Sequence, residues 1–510
     1  MMRLPRRIFI EGPYESATLN VIGLSCLYLT PGLVLAGIVE WASSSSHDEL
    51  SLFFAAGISL ITGLVLRTFT SLADDAMEKP KAVFSVVSWS WVGCVAIGVL
   101  PYLFSGAFAW SEFDNALFET ISGFSCTGST VLTDIESHGR GILLWRQLTQ
   151  WYGGMGMIVL AVTVLPVLGV GGLKLMAAES PGHTSDKLKE RATQTAKALW
   201  SVYFGVTVAI ALLLWSQPSV TLYDGVAHAM STAATGGFSP YNSSIGHFNS
   251  YSVEGIIVAG MFLCAMSFNL QYRFIKSKGD FKVWSESSEW KLYVKITLTA
   301  ISIVFLLNWL VDSVNASTAF RDSLFNVVAL ASSTGFGNVR PNGIGDFVLW
   351  GTAAQLILLF LMTVGGTFGS TSGGMKMFRL MIGLKSLRKE LKLLQYPTLE
   401  FPIKVGRSKV EERIVASALG FIALFMTFVI IGTLLLTAFG DNLVTSLSGA
   451  ISAMSNMGPA LGEAGPTANF LEFSRPGRWV LSVLMVVGRL EIYVVLLMFL
   501  ALSDRLLIRK

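Results

Sequence analysis

Ten apolar stretches, at about 17–38, 51–73, 83–108, 141–170, 197–216, 252–275, 292–313, 347–380, 411–438 and 477–503, dominate the sequence. Most reach the roughly 20 residues that a helix needs to cross the hydrocarbon core of a bilayer. Within that core every backbone N–H and C=O must be satisfied internally, which leaves helices or closed barrels. Runs this long and continuous fit helices. Composition agrees, since 52% of the 510 residues are hydrophobic, 14% are charged and the mean hydropathy is +0.60. These values lie far from those of a soluble globular chain and place the protein in a membrane.

Charge distribution then orients it. Segments before Tyr14, at 67–81, 174–197, 273–291 and 376–413, and after Asp504 hold 29 of the 37 Lys and Arg residues. Arg140, Arg146, Arg321, Arg340, Arg475 and Arg478 fall on the other side, leaving Lys295 near a helix start and Arg489 inside a span. By the positive-inside rule both termini are expected in the cytoplasm. The first run, 17–38, is long enough to remain as a span instead of a cleaved leader. Basic clusters that punctuate spans argue against a nucleic-acid partner and suit contact with membrane lipid. Cys26, Cys94, Cys126 and Cys264 stand singly, with no spacing that suggests a disulfide framework or a structural metal.

Four short polar stretches interrupt the apolar pattern after the first hairpin: Cys126-Thr127-Gly128-Ser129-Thr130, Thr235-Gly236-Gly237-Phe238, Thr334-Gly335-Phe336-Gly337 and Asn456-Met457-Gly458-Pro459. Each follows a short amphiphilic segment opened by an aspartate, namely Asp114, Asp224, Asp322 or Asp441. Such segments are too brief to cross the bilayer and read as re-entrant half-helices capped by those aspartates. Their C-terminal ends would point inward, where partial negative charge favours a cation. A glycine beyond each end allows positive φ or close backbone packing, so that carbonyls can turn toward a common axis. Packing of helices through small residues is the alternative for any one glycine; four matching loops favour a cation filter. Its expected ligands are the carbonyls around Thr127, Gly128, Thr235, Gly236, Thr334, Gly335, Asn456, Met457 and Gly458, with the three threonine hydroxyls as additional candidates.

Two further features bear on a conduction path. Residues 365–374 carry Gly365, Gly366, Thr367, Gly369, Ser370, Thr371, Ser372, Gly373 and Gly374 inside a run that would otherwise be helical. Glycine costs about 1 kcal/mol relative to alanine in a helix interior, so an unwound loop is expected, either a gate or a packing hinge. Arg489 lies in the apolar run 479–502. A lipid-facing arginine there is costly, which leaves a pore-lining electrostatic barrier or a structural ion pair. Glu491, two residues away, is off its helical face.

Taken together, the four span–loop–span units, the stretch 365–376 and the segment Gly488-Arg489-Leu490-Glu491-Ile492 resemble the superfamily of Trk, Ktr and HKT potassium transporters. The extra N-terminal hairpin is similar to the Trk-type membrane subunit. The resemblance implies an all-α polytopic membrane protein of ten spans, with four helix–pore loop–helix repeats around one pore. Boundaries are expected at 1–80 for the hairpin, then 81–173, 197–280, 281–381 and 409–510 for the repeats, with cytoplasmic connections at 174–196 and 382–408. It further implies K+ as the transported ion, a gate at 365–374, no covalent cofactor, a homodimer, and cytosolic nucleotide-binding regulatory subunits at a bacterial inner membrane. A Na+-permeable pore or an H+- or Na+-coupled symporter of the same fold is the alternative. Met457 departs from the threonine that precedes glycine in the other loops, and Cys126 has no motif role. An intramembrane hydrolase would need Ser129 or Ser372 beside a histidine, and no pairing with His47, His138, His183, His228 or His247 suggests one.

Overall fold

A computed structural model describes residues 13–43, 48–70, 80–163, 185–398, 401–406 and 408–497. Both terminal basic clusters and residues 174–184 of the 174–196 connection lie outside them. The described chain is mostly helical and divides into two compact units.

The first unit comprises the chain up to Ile121, residues 134–148 and the chain from Leu490 onward. Its hairpin pairs Pro13–Ser43 (α1) with Glu49–Phe69 (α2). Glycines set the approach, because a Cβ on Gly63 would lie 2.7 Å from Leu27 Cγ, and one on Gly23 would lie 2.9 Å from Leu66 Cβ. Ser59 Oγ donates to the Cys26 carbonyl at 2.7 Å across the same seam. Pro80–Gly98 (α3) packs on α1, and its Gly98 carbonyl accepts from Trp145 Nε1 at 3.1 Å. Arg146 and Glu119 form a fully buried ion pair at 2.8 Å. Glu119 is thereby committed to a partner and is not a free carboxylate for a proton relay.

The second unit spans 122–133 and 149–489 and contains all four glycine-bearing loops. Across the described chain six helices are long and apolar enough to cross a membrane, at 16–43, 49–69, 86–104, 194–215, 288–311 and 412–438. A bent pair, Tyr251–Cys264 and Phe268–Lys276, adds a seventh candidate with a 98° break. Leu212, Leu213, Ile303, Leu306, Leu434 and Leu435 on these helices are exposed, as side chains that meet hydrocarbon should be.

Four short helices precede the loops: Phe113–Phe124, Leu222–Ala234, Ala316–Ala331 and Leu443–Ser455. At 12 to 16 residues they are too short to span. Their caps differ from the expected ones. Thr221, Asn315 and Asn442 provide the side-chain caps of the last three, accepting from the N–H of Asp224, Ser317 and Val444. Asp224 instead closes a capping box at the third helical position, and Asp322 lies a full turn inside its helix, bonded to Arg340 and Asn338. Asp441 precedes its cap residue, and Asp114 falls in the first turn. Asp114 and Asp224, in the first turn, still suit the helix dipole, whereas Asp322 and Asp441 lie outside it.

The long helices after the loops are also more broken than expected. The run 252–275 bends at 265–267, the run 347–380 divides into Thr352–Val364 and Met377–Gln395, and the last run breaks after Arg489, with Glu491 in the left-handed region and helix resuming at 492. Arg489 therefore sits at the end of one helix, beside the break that interrupts the last run. Beyond Gln395 the chain makes one β-hairpin, Lys404–Val405 against Ser408–Lys409, the exception to an all-helical pattern among the described residues.

Candidate functional site

Each short helix ends in the same four-residue manoeuvre. Cys126, Thr235, Ser333 and Asn456 adopt the left-handed conformation at φ 55°, 51°, 55° and 51°. Their N–H groups return to the carbonyls of Gly123, Thr232, Leu330 and Ala453. The next residues, Thr127, Gly236, Thr334 and Met457, donate to the carbonyls of Ser122, Ser231, Ala329 and Ser452 at 2.9, 2.9, 2.9 and 3.1 Å. This pair of bonds is the Schellman ending, which satisfies carbonyls left open at a helix C-terminus. One residue further, Gly128, Gly237, Gly335 and Gly458 again have positive φ, at 87°, 84°, 77° and 86°.

The repeat corrects the register of the second loop. Gly237, not Gly236, is the equivalent of Gly128, Gly335 and Gly458, and Thr235 matches Cys126, Ser333 and Asn456. The helix Leu222–Ala234 ends one residue before its threonine, whereas Phe113–Phe124 and Ala316–Ala331 end three residues before theirs, so Thr235 takes the turn itself. Cys126 accordingly has a role: it is the left-handed terminating residue of the first short helix.

The four turns meet in a closed ring. A Cβ built on Gly128 would lie 2.2 Å from the Gly236 carbonyl oxygen; on Gly237, 2.2 Å from that of Thr334; on Gly335, 2.1 Å from that of Met457. Gly458 closes the cycle, with its Cβ position 3.0 Å from the Thr127 oxygen. Each glycine thus abuts the carbonyl of the residue before the glycine in the next loop. Ser129 Oγ donates to the Gly458 carbonyl at 2.9 Å and Asn456 Nδ2 to Thr127 Oγ1 at 3.1 Å, tying the last loop to the first.

The left-handed residues face the unwound stretch between Val364 and Met377. Thr235 Oγ1 reaches Thr371 Oγ1 at 3.3 Å, Ser333 Oγ meets Ser372 Oγ at 2.8 Å and accepts from Gly373 N at 2.6 Å, and Gly374 N donates to the Ser455 carbonyl at 2.8 Å. Arg489 donates to the Thr371 carbonyl at 2.9 Å, to the Gly153 carbonyl at 3.0 Å and to Cys126 Sγ at 3.0 Å. Among the described residues no carboxylate pairs with it. The stretch is itself buried, and the backbone of the bent helix pair holds it, through Thr367 N to the Ala265 carbonyl at 2.9 Å and Phe268 N to the Gly369 carbonyl at 3.0 Å.

A family model described as TrkH, cation transport protein, matches residues 50–507. The chain belongs to the TrkH family. It is 32% identical over 489 residues to the Trk system potassium uptake protein TrkH of Salmonella typhimurium, covering 95% of this chain and 98% of that one. It is 35% identical over 482 residues to the Trk system potassium uptake protein TrkI of Halomonas elongata, covering 93% of each. The crystal structure of the potassium transporter TrkH from Vibrio parahaemolyticus superposes with a TM-score of 0.85 at 29% identity, covering 94% of this chain and 98% of that one. TrkH-family membership makes this chain a membrane transporter and not an enzyme.

Within this TrkH-family chain, all the loop residues anticipated from sequence come together, with Gly237 added. The threonine hydroxyls are occupied by their own loops: Thr127 Oγ1 bonds Ser125 Oγ at 2.6 Å and Thr334 Oγ1 bonds Ser332 Oγ at 2.8 Å. In the fourth loop Met457 offers no hydroxyl, and Ser455 Oγ is buried without a hydrogen-bond partner. In the second loop both positions lack a hydroxyl, as Ala234 and Gly236. There Gln150, from the helix Arg140–Thr163, fills the gap and donates Nε2–H to the Gly236 carbonyl at 2.6 Å. Gln150, one turn after Gln147 in a largely apolar helix, gave no periodic or motif signal, so sequence reasoning missed it.

Proposed function

We propose that this chain takes up K+ through a gated, channel-like pore whose selectivity filter is the ring of four turns. The observation that carries the reading is the cyclic contact of Gly128, Gly237, Gly335 and Gly458 with the carbonyls of Gly236, Thr334, Met457 and Thr127. An entering K+ ion sheds water and is held by these carbonyl oxygens, while the C-terminal ends of four short helices add partial negative charge. The potassium named in the relatives' descriptions supports K+ as the ion.

The buried stretch 365–374 is the gate in this reading, and its hydrogen bonds to Thr235, Ser333 and the Ser455 carbonyl support that position. Arg489, pinned to Thr371 and lacking a described carboxylate partner, adds an electrostatic barrier to a cation. Ten spans, cytoplasmic termini at the bacterial inner membrane, a homodimer and cytosolic nucleotide-binding regulators complete the assignment and rest on charge distribution and family resemblance.

The test is flux. The full chain reconstituted in liposomes should take up K+ and radioactive Rb+ far faster than Na+, without requiring a pH gradient. Uptake that demands such a gradient would make the protein a coupled symporter, and equal Na+ and K+ fluxes would remove the filter assignment.

A further inference from the structure

Position 236 is a glycine for a reason unlike those at 128, 237, 335 and 458. Its backbone does not occupy the left-handed region, so conformation alone would admit any residue. The obstacle is Gln150: a Cβ on Gly236 would lie 2.4 Å from Gln150 Cδ, 2.5 Å from Oε1 and 2.8 Å from Nε2. Gln150 is fully buried, and its amide is engaged at every point that touches the second loop. Nε2 donates to the Gly236 carbonyl at 2.6 Å, while Oε1 accepts from Ser231 Oγ at 2.7 Å and from Phe238 N at 3.2 Å. The side chain therefore spans the second turn from its helix to the residue beyond Gly237.

We infer that Gln150 is a specificity-determining residue of the ring, replacing the absent loop side chain at 236 and tuning one of the four carbonyls. The inference rests on the filter reading above. Among the four carbonyls that abut the next loop's glycine, those of Thr127, Thr334 and Met457 accept no comparable hydrogen bond among the described residues, so Gly236 presents the one oxygen of these four whose lone pair is shared with a buried donor. An oxygen that already accepts an N–H is a weaker ligand for a cation. A weaker field penalises the smaller, more strongly hydrated Na+ more than K+, so the glutamine shifts the ring toward K+. Gln150 touches the ring and not the path of the ion through the other three loops, and its effect should appear in discrimination before it appears in rate.

The experiment exchanges the glutamine for the side chain it replaces, in the full chain reconstituted in liposomes, with Rb+ uptake measured against competing Na+ and K+. Gln150→Leu keeps bulk without the donor and is expected to lower K+ over Na+ discrimination about tenfold, the equivalent of one net hydrogen bond to a charged system. Gly236→Thr alone should abolish selective uptake, because its Cβ has no room. Combining Gln150→Ala with Gly236→Thr restores a threonine as in the first and third loops and should bring discrimination back to within about threefold of the unaltered chain, a recovery that a simple packing defect does not give. Gln150→Leu with unaltered discrimination, or a double variant no better than Gly236→Thr, overturns the inference. Should Gln150→Leu fail to accumulate in membranes, the double variant decides by the same criterion. An unaltered chain that does not discriminate K+ from Na+ would instead defeat the filter reading itself, before any variant is compared.

Discussion

Gly128, Gly237 and Gly335 are constrained twice, by positive φ and by a neighbouring carbonyl within 2.2 Å of where a Cβ would stand. Backbone cannot retreat there without opening the ring. Alanine or serine at any of the three should therefore degrade K+ over Na+ discrimination by on the order of a hundredfold or abolish uptake, as strain of a few kcal/mol implies. Gly458 has the same φ but 3.0 Å of clearance from the Thr127 oxygen, so Gly458→Ala should be the mildest of the four. Competitive Rb+ uptake for the set checks the ranking, and equal tolerance at Gly237 and Gly458 would contradict it. Legibility at this scale was uneven. Thr-Gly in the first and third loops marks the turn directly, whereas Thr235-Gly236-Gly237 allows two alignments that only the helix end separates. Cys126 and Asn456 carry a left-handed backbone that neither residue type announces, and Gln150 acts across 86 residues of sequence separation.

The elements show why the breaks were harder to read than the helices. Apolar length is a strong signal, so the six long apolar helices and the four short ones were visible in outline. A break at Ala265-Met266-Ser267 or after Arg489 leaves almost no compositional trace, because tertiary contacts hold those bends: Phe268 N to the Gly369 carbonyl in one case, Arg489 to three separate acceptors in the other. Only the stretch with five glycines between 365 and 374 declared itself. Removing three or four residues from it should raise K+ flux several-fold, since the bonds that seat it contribute only about 1 kcal/mol each. Arg489→Ala should likewise raise flux, and a lower flux with normal protein accumulation would assign the arginine to holding the filter and not to opposing the ion. Either outcome is read from initial rates of Rb+ uptake at matched protein density.

For the whole molecule, family, membrane character and helical class follow from the pattern of apolar runs and loops, and these agree with the TrkH match and the superposition on a solved TrkH structure. Sidedness follows from Lys and Arg placement alone. A cysteine introduced at Arg388, exposed on Met377–Gln395, should react with a membrane-impermeant maleimide only from the cytoplasmic side. One introduced at Asn342, exposed between the third short helix and Thr352–Val364, should react only from outside. Labelling of both from one face would break the assigned topology, and an exchange of the two faces would invert it.

The hydrogen bonds from Thr371, Ser372, Gly373 and Gly374 to the ends of the short helices make the proposed plug and the proposed sieve one mechanical part. Withdrawing the plug strips partners from the residues that shape the turns, and incoming water has to replace them. In the proposed pore, conductance and ion preference should therefore drift together whenever this stretch moves, so a mutation that jams it open is expected to blur the choice of ion as well.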